Sequence, residues 1–131
     1  MSVEVTTVSE QGFTTLNQFD NFKSTIDATG DSAPDTLESL VAAYASCYVP
    51  ALRVGGQQRG VDDLGRIEID ATGETGDDDK LAAITFDVAV EAAVDDETAS
   101  AVIERAMELC KVHDALKEEL HADVSLEANA L

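Results

Sequence analysis

Leu37, Leu40, Val41, Tyr44, Cys47 and Tyr48 recur at intervals of three and four residues. That spacing puts all six on one side of an α-helix, and an apolar stripe of this width must find a partner to bury it. The helix is predicted from about Pro34 to Leu52, with Ala42, Ala43, Ala45 and Ser46 small enough for other elements to pack closely. Asp31, Ser32 and Asp35 are its candidate N-caps. Pro50 is expected to kink or weaken the last turn, and "RVGGQQRG" to be a loop or frayed end. A second stripe follows Asp95 and Asp96, which suit a helix start: Val102, Ile103, Ala106, Leu109, Cys110, His113, Leu116 and Leu120. It predicts one helix through "DDETASAVIERAMELCKVHDALKEEL".

The remaining apolar residues alternate, which is the signature of half-buried strands. "SVEVTTVS", "GFTTLNQF" and "NFKSTIDA" predict a short antiparallel meander before the first helix. "GRIEIDATGE" and "LAAITFDVAVEAAV" predict a hairpin closed by the acidic turn "TGDDDK", and "ADVSLEA" a last strand. Helices packed on mostly antiparallel sheet make an α+β fold. At 131 residues, with no linker or internal repeat, residues 1–131 are expected to form a single domain.

Charge narrows the partners. There are 27 Asp and Glu against eight Lys and Arg, for a formal charge of −19. Such a surface repels nucleic acid and anionic membrane, so neither is an expected partner. The acids are dispersed along the whole chain, unlike an interaction tail. Dispersed acids and scarce Lys point to a halophilic archaeal cytosol, where self-repulsion is screened: the Debye length is only about 3 Å at ~1 M salt. "MSVEVTTVSE" has no basic end or apolar core, so the expected location is cytoplasmic.

The two cysteines, Cys47 and Cys110, are too far apart for a CxxC motif. From spacing alone both read as small buried hydrophobes. Cys110 and His113 are one helical turn apart, but Cys47 and His121 have no such partner, so no metal site is expected. His113, on the apolar stripe, reads as a hydrogen-bonded core or interface residue, and His121 as a surface one. The "GDDDK" cluster lacks EF-hand spacing and reads as a solvated hairpin tip. "RVGGQQRG" matches no phosphate-binding pattern, and no cofactor is expected.

The flanking residues are more informative. "PDTLESLVAAYASCYVPAL" resembles the first cysteine helix of the OsmC/Ohr family, the osmotically inducible and organic-hydroperoxide-resistance proteins. "AMELCKVHDAL" resembles the second cysteine helix of that family, and the element order agrees over nearly the whole chain. The resemblance implies an OsmC-like intertwined homodimer in which N-terminal strands join the partner subunit. It implies a thiol-dependent peroxidase in which Cys47 attacks an organic hydroperoxide, Cys110 resolves the sulfenic acid to a disulfide, and an external thiol reduces it. Tyr44, Tyr48 and Val49 would then favour organic hydroperoxides over hydrogen peroxide.

Three features depart from the family's pattern, one of them Lys111, which stands where a Pro usually follows the second Cys. Leu37 stands where the family's peroxidases carry a Glu; Glu38 is adjacent, but on a straight helix it falls opposite Cys47. No Arg precedes Arg53, so another cation must favour the thiolate. Lys23 of the partner subunit is expected, ahead of Lys111, Arg53 and His113. The alternative is a non-catalytic dimer of the same fold that binds a ligand or senses redox state.

Overall fold

The computed structural model describes residues 1–131, which divide into two compact units, residues 1–40 and 41–131. In the first unit, strands β1 (Thr6–Val8), β2 (Thr14–Phe19) and β3 (Phe22–Asp27) form an antiparallel sheet in that order. The register runs through Val8↔Leu16 and Leu16↔Thr25. The β2–β3 hairpin is closed by Asp20 and Asn21, with Asp20 at φ 38°, the backbone that a two-residue turn demands. β1 is shorter than the alternation suggests, and Val3 and Val5 lie before it, exposed. Phe13 and Phe22 are also exposed, whereas Leu16 and Ile26 are half-buried.

Asp27 ends β3 and organises the turn that follows. Its carboxylate accepts hydrogen bonds from the N–H and hydroxyl of Thr29 (3.0 and 2.8 Å) and from those of Ser32 (3.1 and 2.9 Å). Helix α1 (Thr36–Gln58) then starts on a reciprocal cap. Asp35 Oδ1 accepts from Glu38 N–H at 2.8 Å, and Glu38 Oε1 accepts from Asp35 N–H at 3.0 Å.

The second unit holds the rest of α1, strands β4 (Ile67–Thr75) and β5 (Leu81–Val90), helices α2 (Asp96–Leu109) and α3 (Lys111–Ala115), a 3-10 turn at Glu118–Leu120, and strand β6 (Asp123–Glu127). β4 and β5 form the expected antiparallel hairpin, and its tip is closed by Gly76 N–H to Lys80 O at 2.9 Å. β6 adds to the other edge of β5 in parallel, with Phe86↔Val124 and Val88↔Leu126. The alternation in β5 buries Ile84, Phe86, Val88 and Val90 against Tyr44, Tyr48 and Leu52 of α1 and Val102 and Ala106 of α2. Tyr44 meets Phe86 edge to face, ring centroids 4.7 Å apart, a geometry that aromatic quadrupoles favour.

Two helices differ from the expected bounds. α1 does not fray at Leu52: it continues through Pro50 to Gln58, and Gly55 and Gly56 are buried. Pro50 removes one helical hydrogen bond, but the extra turns gain close packing on α2. A Cβ on Gly55 would lie 3.3 Å from Ala106 N and 3.4 Å from Val102 O, so only glycine leaves both backbones where they are. Gly60, at φ 91°, follows the helix end.

The C-terminal helix is not continuous either. α2 is capped as expected, Asp95 accepting from Thr98 N–H at 2.7 Å, but it stops at Leu109. Cys110 is extended (φ −77°, ψ 111°), so it lies between two helices rather than within one. Neither Gly nor Pro marks the break. Its cause is tertiary: the bend buries Cys110 to 1% exposure and turns α3 back toward α1.

Candidate functional site

Cys47 lies midway along α1, half-buried, and Cys110 at the α2–α3 break, buried. The two thiols lie near enough for each to shift the other's acidity. The break is what makes this environment. The first N–H groups of a helix have no intrahelical acceptor; those of Lys111 and Val112 lie close enough to Cys47 to lower its pKa, and Lys111 lines the same hollow.

These contacts set the acidities apart. Burial acts to raise the Cys47 thiol. The Val112 N–H, the Cys110 thiol, the Lys111 N–H and the Lys111 ammonium outweigh it, and the net displacement is downward. Cys110 moves the other way: burial raises it, and the neighbouring Cys47 raises it further, against partial relief from the His113 N–H. The arrangement therefore sets a more acidic thiol at 47 beside a less acidic one at 110.

An open hollow of about 420 Å³ lies beside Cys47, lined by Pro50, Ala51, Val54, Leu109 and Lys111. Its walls are apolar apart from the Lys111 ammonium. Tyr44 and Tyr48, expected near the thiol as a substrate lining, are fully buried in the core. The Tyr44 hydroxyl instead bonds His113 Nδ1 at 2.6 Å and accepts the Ala122 N–H at 3.0 Å. The hydroxyl accepts from Ala122 and has one proton left to donate to Nδ1, an arrangement that matches neutral His113 with its proton on Nε2. Burial, and then the adjacent His121, lower the His113 pKa in agreement, against a smaller opposing effect of Asp114. His121 is not a free surface residue: it is partly buried, its ring stacks on His113 at 3.8 Å, and its Nε2–H donates to Leu116 O at 3.1 Å.

Of the expected cations, Lys111 is at the thiol. Arg53 is not: its guanidinium donates to Gly65 O at 2.8 Å and lies 4.0 Å from Asp63. Lys23 is on β3, opposite Gln18. The His113 ring is bonded to the Tyr44 hydroxyl instead. The contributors that the sequence does not signal are the backbone N–H groups of residues 111 and 112, because nothing in the local residue pattern predicts the break that exposes them. Tyr44, three residues before Cys47, was legible as core but not as a hydrogen-bonding strut.

The profile of the family described as OsmC-like protein matches residues 28–125. The chain belongs to the OsmC-like family. An uncharacterized protein of Haloferax volcanii is 46% identical to it over 128 residues, covering 98% of this chain and 97% of that one. That relative comes from an archaeon, as the salt-adapted composition leads one to expect. Among solved structures, an OsmC-like protein from Mycoplasma pneumoniae superposes with a TM-score of 0.85 at 16% identity, over 98% of this chain and 97% of the other. The organic hydroperoxide resistance protein OhrB of Bacillus subtilis superposes at 0.69 with 22% identity, over 98% of each chain. At these identities the structural likenesses establish the α+β OsmC-like fold. No helix of this OsmC-like chain is long and apolar enough to cross a membrane.

Proposed function

We propose that the protein is a thiol-dependent peroxidase that reduces organic hydroperoxides through a Cys47–Cys110 disulfide cycle. The observation that carries the reading is the pair itself: a thiol made more acidic faces one made less acidic, at the edge of an apolar hollow. The Cys47 thiolate attacks the outer peroxide oxygen. The O–O bond breaks, the alkoxide leaves and takes a proton to become the alcohol, and Cys47 becomes a sulfenic acid. Cys110 sulfur then attacks Cys47 sulfur, the S–S bond forms, and the hydroxyl departs as water with the Cys110 proton. An external dithiol restores both thiols by exchange. Lys111 is the cation proposed to support the thiolate, with Lys23 of a partner subunit as a further candidate. The hydroperoxide-resistance role of the Bacillus subtilis neighbour supports the substrate class.

The uncovered apolar side chains of the N-terminal sheet support an intertwined homodimer, and the composition supports a cytosolic setting. A second reading, a non-catalytic redox-sensing dimer, is favoured by Leu37 and by the lack of any Arg before Arg53. Intact mass after one equivalent of cumene hydroperoxide separates the two classes from inert protein. Loss of two hydrogens, followed by multiple turnovers with dihydrolipoamide, is expected of the peroxidase. Disulfide formation without turnover supports the sensor, and an unchanged mass rejects the peroxidase and the sensor and leaves the ligand-binding dimer.

A further inference from the structure

The Tyr44–His113 bond lies on the same two elements as the thiol and its donors. Tyr44 and Cys47 are on neighbouring turns of α1, while His113 directly follows Val112 in α3. The strut is short, 2.6 Å, and its hydroxyl is held from a third side by the Ala122 N–H at the entrance to β6. His113 is itself backed by the His121 ring at 3.8 Å, and His121 is tied to Leu116 O, the residue that ends α3. α3 has only five residues, none of them fully buried; Val112, with Leu116 just after the helix, packs partly buried against the core, so its apolar contacts are few. The polar chain Ala122–Tyr44–His113, backed by His121 and Leu116, adds a directional tie to that packing.

We propose that Tyr44 and His113 are positioning residues for Cys47: their hydrogen bond sets the angle of α3, and so aims the N–H groups of Lys111 and Val112 at the Cys47 sulfur. Neither touches the reacting atoms. Hydrogen bonds to an anion weaken steeply with distance and angle, so a small rotation of α3 is enough to release the thiolate. The groups that face Cys47 are Cys110, Lys111 and the two backbone donors; those that face His113 are Tyr44, His121 and Asp114. The inference rests on Cys47 being the reactive thiol, not on peroxide turnover.

The test is the rate of Cys47 alkylation by iodoacetamide as a function of pH, read on the Cys47 peptide, in the full-length protein with two M KCl. Tyr44→Phe keeps the ring against Phe86 and removes only the hydroxyl. His113→Leu removes the acceptor, and His113→Asn restores one near the Nδ1 position. Tyr44→Phe and His113→Leu are expected to move the Cys47 profile upward by about one pH unit, which lowers the thiolate fraction about tenfold on the acid side. His113→Asn is expected to stay within about twofold of wild type at neutral pH. Melting curves report folding separately. A lowered melting temperature with an unchanged Cys47 profile overturns the proposal, leaving the pair a purely structural role. So does an Asn variant that shifts the profile as far as Leu. If Tyr44→Phe does not fold, the Leu and Asn pair decides. The readout needs no peroxide: protein inert toward cumene hydroperoxide that still loses Cys47 acidity in these variants rejects the peroxidase and keeps the positioning role.

Discussion

The Cys47 and Cys110 thiols face each other with opposite displacements, Cys47 more acidic and Cys110 less. The asymmetry has a simple origin. Cys47 is half-buried and meets donors from the 110–112 segment, whereas Cys110 is buried and meets the developing charge of Cys47. A thiol that donates to a neighbouring thiolate lowers the neighbour and raises itself.

Substitution at Cys110 should therefore change Cys47 before any peroxide is added. Cys110→Ala removes the donor, and the alkylation profile of Cys47 is expected to move upward. Cys110→Ser keeps a donor and should move it less. Both variants lose the disulfide, so with cumene hydroperoxide they are expected to hold Cys47 as a dimedone-reactive sulfenic acid or to over-oxidise it. Wild-type Cys47 should give little dimedone adduct, because Cys110 traps the intermediate.

Gly55 lies against the α2 backbone, and it tests the helix packing alone. Gly55→Ala adds helix propensity, worth up to about 1 kcal/mol. The new methyl sits 3.3 Å from Ala106 N and 3.4 Å from Val102 O, and backbone atoms cannot step aside as a side-chain tip can. Overpacking of this kind costs about 1–3 kcal/mol, so a net loss of about 1 kcal/mol is expected. Urea unfolding should show a lower midpoint at an unchanged slope. A stabilised variant would mean that the two helices separate freely.

Acid should weaken the fold in two stages. Burial and His121 depress the His113 pKa, so the unfolded chain binds its proton first as pH falls. The stability contributed by neutral His113 is complete above about 6.5 and is lost as pH drops through the lower folded value. Asp27 follows in a more acidic window. The N–H of Thr29, then its hydroxyl and the matching groups of Ser32, hold that carboxyl well below the usual range. Its contribution is complete above about 3.9 and declines below it. Melting temperature against pH should therefore fall less between neutrality and pH 5 in His113→Asn than in wild type. Asp27→Asn should flatten only the more acidic part of the curve.

Stability is expected to rise with salt. The formal charge of −19 is spread over 131 residues, and the chain shows only three ion pairs, all involving exposed side chains. Such pairs contribute little, so repulsion among the excess acids dominates the surface, and about 2 M KCl screens it over distances of a few ångströms. Melting temperature should climb from dilute buffer to that concentration. A flat response would remove the salt-adapted reading of the composition.

What the sequence determined by itself is the set of elements whose signal is local. The alternation Ile84, Phe86, Val88, Val90 is a strand with one buried face because side chains in a strand point alternately to either side. The α1 stripe and the Asp95 cap announce helices because their patterns repeat with the helical turn. Cys47 was legible as a member of such an element, and the flanking residues of both cysteines as an OsmC-like pattern, whereas Cys110, read as part of one helix, lies between two. Tertiary structure decided the rest. Pro50 and the Gly55–Gly56 pair argue locally for a helix end, yet α1 runs on to Gln58, since glycine there lets two helix backbones touch. Nothing local argues for a break at Cys110, yet the chain turns there, because burying that thiol and joining His113 to Tyr44 compensate for the interrupted helix. The break brings two backbone donors to Cys47. Backbone groups carry no residue identity, and their direction depends on contacts between positions as distant in the chain as 44 and 113, so no local reading of residues could have placed them.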